Sequence, residues 1–96
     1  VAAEKGNKWA MSNIGTMYYT GNGVQRDYTE AVTWYMKAAE KGNHKAQNSL
    51  GVCYSKGYGV YRDWDQAEYW FQLAAAQGDE KAKGNLLKLA RKRSKL

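Results

Sequence analysis

Proline is absent from the 96-residue sequence, and cysteine, histidine and phenylalanine each occur once. The absence of proline disfavours a loop-rich β fold or a proline-rich linker, and it suits a chain made mostly of helix. The single cysteine, Cys53, excludes an internal disulfide. No apolar run approaches the roughly 20 residues that a membrane-spanning helix needs. Hydrophobic residues still make up 44% of the chain, which predicts a globular domain.

Patterns of catalytic or metal-binding residues are also missing. His44 and Cys53 lie nine residues apart on one predicted helix, so they point to opposite faces and cannot form a nucleophile–base pair. No pair of His or Cys has the spacing of a metal site. The Gly-x-Gly segments at 21–23 and 57–59 lack the Lys-Ser/Thr of a phosphate-binding loop. The sequence therefore predicts a protein that is not an enzyme and that holds no cofactor and no metal.

The positive charge is concentrated at one end of the chain. The net charge is +6, but seven basic residues and no acidic residue lie from Lys81 onward, and residues 1–80 are nearly neutral. Such a run is typical of the solvated end of a helix, because cations interact favourably with the dipole at a helix C-terminus. A tail that binds phosphates or an anionic membrane is the alternative interpretation.

A repeat of 36 residues runs through the sequence. The segment AAEKGN at 2–7 recurs at 38–43, and the pattern GxGVxRD at 21–27 recurs at 57–63. Of the 36 positions compared, 16 are identical in the two units, and this self-similarity predicts a repeat architecture. We divide the chain into the end of a preceding repeat (1–7), two full repeats (7–42 and 43–78) and a C-terminal capping helix (79–96).

Each unit has the signals of two helices. An Asn or Asp that follows a glycine is suited to cap the first helix, and Asp27 and Asp63 are suited to cap the second. Gly42 and Gly78 are placed to end the second helices. These signals predict helices at 8–20, 28–41, 44–56, 64–77 and 80–94.

The spacing of apolar residues indicates how the helices meet. In the second helices, a stripe is formed by Ala31, either Trp34 or Tyr35, and Ala38, and it recurs around Trp70. In the first helix the matching stripe consists of Ala10, Ile14, Met17 and Tyr18. We also expect the aromatic residues at repeated positions to belong to the core, namely Trp34, Trp70, Tyr18, Tyr54, Tyr28 and Trp64.

Two glycines lie in the middle of predicted helices. Gly15 and Gly51 occupy the same position in successive units, and glycine there costs about 1 kcal/mol relative to alanine. We therefore predict a close contact with a neighbouring helix at both positions.

The repeat, Ala-x3-Leu/Ile-Gly-x2-Tyr-x2-Gly-x-Gly-Val-x2-Asp-x3-Ala-x2-Trp-x3-Ala-Ala-x2-Gly-Asn/Asp, resembles the Sel-one-like repeat, a relative of the tetratricopeptide repeat. The resemblance implies an all-α fold, a right-handed α-solenoid of antiparallel helix pairs. It also implies an adaptor or scaffold whose concave face binds proteins or peptides. Leu87 and Ala90 depart from the pattern, which is why residues 79–96 are interpreted as a cap.

The resemblance implies that the first helix of each unit lines the concave face. The candidate contacts are the side chains there that avoid the core stripe: Trp9, Ser12, Thr16, Tyr19, Lys45, Asn48, Lys56, Lys81, Lys88 and Arg91. Their lysines favour an acidic protein or peptide as the partner over a nucleic acid or a membrane. A regulator or inhibitor that blocks a site on another protein is the alternative function.

Several expectations concern the beginning and end of the chain. Trp9 either covers the place of an upstream helix or anchors a peptide, and the uncovered face of helix 8–20 predicts self-association. The start within a repeat indicates a piece of a longer protein, which we expect in a bacterial cytoplasm or periplasm. The final residues 94–96, Ser-Lys-Leu, match a peroxisomal address as the alternative.

Overall fold

The computed structural model describes residues 7–95, which form five α-helices and no strand. The helices are α1 (Lys8–Thr20), α2 (Tyr28–Glu40), α3 (His44–Lys56), α4 (Trp64–Ala76) and α5 (Glu80–Ser94). The predicted helices agree with these bounds to within one residue.

Side-chain caps begin all five helices. The side chains of Asn7, Asn43 and Asp79 accept backbone N–H groups at the starts of α1, α3 and α5. Asp27 and Asp63 do the same for α2 and α4. The caps predicted from the sequence are therefore confirmed, and they explain why the helix starts were predictable.

The second helices end one residue earlier than predicted. Lys41 is the C-cap of α2, and Gly42 follows it with a φ of +89°. The N–H of Gly42 donates to the carbonyl of Ala39 at 2.9 Å, and the N–H of Asn43 donates to the carbonyl of Ala38 at 3.1 Å. This is the Schellman arrangement, in which the glycine takes the left-handed turn just beyond the helix. α4 ends in the same way.

Consecutive helices pack against each other along the whole described part of the chain. α3 also contacts α1 and α5, so these three helices share one side of the molecule. The molecule is elongated, with principal dimensions of 45 × 28 × 17 Å. Stacked helix pairs of this kind form a solenoid.

Two aromatic rings and a set of alanines form the core. Tyr35 and Phe71 are each 2% exposed and lie against Gly15 and Gly51. A Cβ atom on Gly15 would lie 2.7 Å from Cδ1 of Tyr35, and a Cβ atom on Gly51 would collide with the ring of Phe71. The close helix contacts predicted at both glycines are therefore confirmed.

The choice between Trp34 and Tyr35 is resolved in favour of Tyr35. Trp34 is half-buried, and Nζ of Lys37 lies 4.6 Å from its ring centroid. Among the six aromatic residues that we expected in the core, Trp70 alone is buried, at 8% exposure. The other five are half-buried, because they pack at the edges of the helix pairs.

The expected core stripe of α1 is partly wrong. Met17 is 39% exposed and Ile14 is half-buried, whereas Cys53, the counterpart of Met17 in α3, is fully buried. The difference arises because α2 packs against α3, while no helix precedes α1 within residues 7–95. The predicted end of a preceding repeat lies almost wholly in residues 1–6, outside the described part of the chain.

Candidate functional site

Two cavities lie on the side formed by α1, α3 and α5. The larger, of about 520 Å³, is here named the polar groove. It is lined by Ser12, Asn13, Thr16, His44, Lys45, Asn48, Ser49, Gly78, Asp79, Glu80 and Lys81. The smaller, of about 140 Å³, lies between α3 and α5 and is named the lysine pocket. It is lined by Val52, Ser55, Lys56, Phe71, Asn85, Lys88, Leu89 and Lys92.

Hydrogen bonds between helices fix the polar side chains of the groove. The hydroxyl groups of Thr16 and Tyr35 lie 3.0 Å apart and join α1 to α2. Nδ2 of Asn85 donates to Oδ1 of Asn48 at 2.9 Å and joins α5 to α3. The groove is therefore lined by side chains that are already held in place before any partner arrives.

A hydrogen-bonded pair of titratable groups joins α3 to the start of α5. Nδ1 of His44 donates to Oδ2 of Asp79 at 2.7 Å, and Oδ1 of Asp79 accepts the N–H of Ala82 at 3.0 Å. Asp79 is 8% exposed. Burial raises the pKa of this carboxyl, but the hydrogen bonds from His44 and from the backbone outweigh burial and lower the pKa below its ordinary value.

The variant Asp79→Asn is expected to lose a stability contribution that depends on pH. Because the pKa of Asp79 is lower in the folded than in the unfolded chain, the ionised carboxylate stabilises the fold above the unfolded pKa of about 4. That contribution is lost as the pH falls through the folded pKa. Urea unfolding should show Asp79→Asn less stable than the parent by about 1 kcal/mol at neutral pH.

The same measurement in acid checks the cause. The difference in unfolding free energy between the parent and Asp79→Asn should shrink toward zero once the parent's Asp79 is protonated. A difference that stays constant over the pH range would contradict a role for the charge.

The lysines of the polar groove carry charges that no carboxylate in residues 7–95 neutralises. Glu80 pairs with Lys83 at 3.0 Å, and Asp79 is held by the histidine described above. Lys45 and Lys81, in contrast, have no carboxylate oxygen within 4.0 Å in this part of the chain. The lining thus holds two ammonium groups and two carboxylates, and the two ammonium groups are the ones without an ion-pair partner in residues 7–95.

Trp9 lies beside the polar groove with 45% of its surface exposed. Its ring meets His44 edge to face, with centroids 5.6 Å apart, and Nζ of Lys45 lies 5.9 Å from its centroid. The two interpretations of Trp9, as a cover for α1 or as an anchor for a peptide, stay predictions.

Two of the candidate contacts lie in unexpected surroundings. Ser12 lines the polar groove but is 5% exposed, so little of its surface is open to a partner. Tyr19 packs in a tyrosine cluster instead of lining the groove, with its ring centroid 5.3 Å from that of Tyr28 and 6.1 Å from that of Tyr58. Burial raises the pKa of Tyr19 to about 12.

The other candidates fall into three sets. Thr16, Lys45, Asn48 and Lys81 come together in the polar groove. Lys56 and Lys88 line the lysine pocket, and Arg91 is exposed on α5 and lines neither cavity.

The sequence analysis missed the role of Arg93. Its guanidinium binds the carboxylates of Asp65 and Glu68, the latter at 3.3 Å, and so ties the end of α5 to α4. Arg93 occupies the repeat position of Gly57, where α3 ends in a left-handed turn, and α5 continues past this position. An ion pair between helices leaves no spacing signal in the sequence.

The structure of residues 7–95 bears on metal binding, thiol reactivity and membrane spanning. No group of three or more His, Cys, Asp or Glu side chains is placed to hold a metal ion there. Burial raises the pKa of the Cys53 thiol to about 11, so the reactive thiolate is scarce at neutral pH. Within the same residues, the helices lack the length and apolar content that a membrane crossing needs.

Solved structures of bacterial repeat proteins share this fold. A Sel1 repeat protein from Oxalobacter formigenes is 39% identical with a TM-score of 0.83, over 85% of this chain and 34% of that one. A protective antigen of uropathogenic Escherichia coli is 47% identical with a TM-score of 0.82, over 84% and 17%. Cysteine rich protein B of Helicobacter pylori is 29% identical with a TM-score of 0.82, over 88% and 64%.

Two curated proteins of Arabidopsis thaliana match a shorter stretch. They are the ERAD-associated E3 ubiquitin-protein ligase components HRD3A and HRD3B, each 51% identical over 37 residues, or 38% of this chain. The chain spans about 6% of the length of these relatives.

The family is identified by a match along most of the chain. Residues 10–43 and 44–79 each match the Sel1 repeat. Proteins with this repeat are generally non-catalytic scaffolds for protein–protein interaction. The all-α solenoid fold and the resemblance seen in the sequence are thereby confirmed, and the chain belongs to the Sel1 repeat family.

Proposed function

We propose that this chain is a non-catalytic interaction module whose polar groove binds an acidic segment of a partner protein. The observation that carries the proposal is the pair Lys45 and Lys81, which line the groove without a carboxylate partner in residues 7–95. Carboxylates on a partner would supply the missing counter-charges, and complementary charge gives such contacts their specificity and association rate.

The repeat sets the register of such a segment. Trp9, Lys45 and Lys81 occupy the same position in three successive units. An extended segment that follows the groove therefore meets one aromatic ring and then two ammonium groups. The hydroxyl group of Thr16 and the amide group of Asn48 line the same groove and are suited to the peptide backbone. The geometry favours a partner with one apolar residue followed by acidic ones.

The family and the named relatives support a role within an assembly. Sel1 repeat proteins bind other proteins, and the two plant relatives are named as components of a ubiquitin-protein ligase. A regulator that covers a site on its partner would use the same groove. It would differ from a scaffold in lowering the activity of the captured protein.

The test compares two double charge reversals. Partners are captured from a nuclease-treated extract of the source cell, and the affinity of each captured protein is then measured. Lys45→Glu/Lys81→Glu should weaken binding about tenfold or more, since it turns two attractions into repulsions. Lys37→Glu/Lys41→Glu changes the net charge equally on α2 and its C-cap, away from the groove, and should bind as the parent does.

The control separates the groove from simple net charge. Equal binding by both variants and the parent would place the contact elsewhere and contradict the proposal. Equal loss in both would show a long-range charge effect and contradict it as well. Added salt should weaken the parent's binding, because exposed ion pairs are screened.

A further inference from the structure

The lysine pocket is lined by three lysines and by no acidic residue, and Nζ of one of them, Lys56, lies 6.0 Å from the ring centroid of Tyr58. Lys56 comes from the last turn of α3, and Lys88 and Lys92 lie one turn apart on α5. No carboxylate lines the pocket, and none within residues 7–95 lies within 4.0 Å of these lysines. Phe71 and Leu89, both buried, close the bottom of the cavity.

Helix-end electrostatics does not account for all three lysines. A cation in the last turn of a helix opposes the helix dipole, which explains Lys56 at the end of α3 and Lys92 near the end of α5. Lys88 lies in the middle of α5, where this benefit is absent. It lines the same pocket as the other two lysines, and this clustering of lysines without a carboxylate indicates a site for an anion.

The charge and size of the pocket select the anion. A carboxylate brings one negative charge, whereas a phosphate monoester brings about 1.5 to 2 charges and three acceptor oxygens. Three ammonium groups match the second pattern better. The volume of about 140 Å³ is about tenfold the roughly 10–15 Å³ that one water molecule needs, so the pocket has room for the five heavy atoms of a phosphate monoester, one phosphorus and four oxygens.

We infer that the lysine pocket binds a phosphate monoester, presented as a phosphoserine or phosphothreonine side chain of the partner segment. This inference rests on the proposed function, because the pocket continues the polar groove toward the ends of α3 and α5. Asn85 lines the pocket and bonds to Asn48, which lines the groove, so one extended segment can reach both.

A membrane is a less suitable source of the phosphate. The pocket is recessed between two helices on the side that carries the groove, whereas a lipid surface is flat. Arg93 and Lys83, which would strengthen a basic membrane-binding face on α5, are bound to carboxylates of their own chain.

The first experiment needs no partner. The isotope-labelled chain is titrated with inorganic phosphate and, at equal ionic strength, with acetate, and amide chemical shifts are followed by NMR. Phosphate should give saturable shifts at Ser55 and Asn85, and acetate should bind more weakly. Lys88→Gln/Lys92→Gln should weaken phosphate binding about tenfold, as expected for the loss of two exposed ion pairs. Lys45→Gln/Lys81→Gln, in the polar groove, should leave it unchanged.

Any one of three results would overturn the inference: no saturable shift at the pocket, shifts that acetate reproduces equally, or shifts that survive in Lys88→Gln/Lys92→Gln. None of these results would touch the proposed function, whose test uses the other two lysines. Conversely, if phosphate binds at the lysine pocket but no partner binds in the polar groove, the phosphate site is supported and the proposed function is contradicted.

The second experiment identifies the source of the phosphate. A peptide library with a fixed phosphoserine is compared with the same library carrying serine, and with vesicles that contain a phosphoinositide. Preferential capture of phosphopeptides, lost in Lys88→Gln/Lys92→Gln, supports the inference. Binding to the vesicles alone would contradict it and favour the membrane.

Discussion

Replacing Gly51 by alanine is expected to destabilise the fold by about 2 kcal/mol, although alanine is the better helix former. Gly51 lies in the middle of α3, and a Cβ atom there would collide with the ring of Phe71. That ring is 2% exposed and is enclosed by α4 and α5, so it cannot move aside without opening the core. The cost of overpacking at so close a contact lies near the upper end of the usual range, at about 3 kcal/mol, and subtracting the gain of about 1 kcal/mol in helix propensity leaves a net loss of about 2 kcal/mol.

Gly84 supplies the matched control. It also lies within a helix, α5, and no atom outside its own surroundings lies within 4 Å of a Cβ built on it. Gly84→Ala should therefore stabilise the fold by about 0.5–1 kcal/mol, the propensity gain alone. Urea unfolding followed by circular dichroism measures both changes. Stabilisation by Gly51→Ala would mean that the packing of Phe71 against α3 is looser than the structure has it.

These glycines show which features of helix packing the sequence can predict. A glycine repeated at one position of two helices indicates a close contact, and the structure confirms it at Gly15 and Gly51. The sequence did not identify the contacting ring. Trp34 and Tyr35 are neighbours on α2 and both fit the apolar stripe, and a rotation of the helix decides which one faces Gly15.

The helix bounds could be predicted from local sequence signals, but the contacts between helices could not. Caps and left-handed glycines act within a few residues, so they are legible in the sequence. The burial of Ser12 and the exposure of Met17 depend on which helices are present beside α1. The binding of Arg93 to α4 likewise depends on how α5 packs, and no spacing pattern in the sequence predicts it.

The candidate contacts stay predictions as binding residues, and the structure shows where they lie. The lysines at repeated positions and their neighbours do line the side formed by α1, α3 and α5. The two side-chain pairs that join the helices on this side, Asn48 with Asn85 and His44 with Asp79, were not predicted from the sequence. His44 and Asp79 lie 35 residues apart, close to the repeat length of 36 residues. The repeat length could therefore have indicated that these two residues are neighbours in successive units.

Removal of the Asn43 side chain should be the most damaging change at a helix start, at about 2–3 kcal/mol in Asn43→Ala. Asn43 is fully buried, and its Oδ1 accepts the N–H of Ala46 at 2.8 Å as the cap of α3. Its Nδ2 also donates to the carbonyl of Lys8 at 3.3 Å, across the junction between α3 and α1. Alanine loses the bond to α1 and also leaves the buried N–H of Ala46 without its partner in a site closed to water.

Asn7 is the matched control, since it is the same residue in the same role one repeat earlier. Its Oδ1 accepts the N–H groups of Trp9 and Ala10, but Asn7 is exposed, so water can replace the lost bonds. Asn7→Ala should therefore cost about 1 kcal/mol or less. Equal costs for the two variants would show that capping alone matters. A larger cost at Asn43, measured by urea unfolding, would show that its buried amide holds α1 and α3 of successive repeats together.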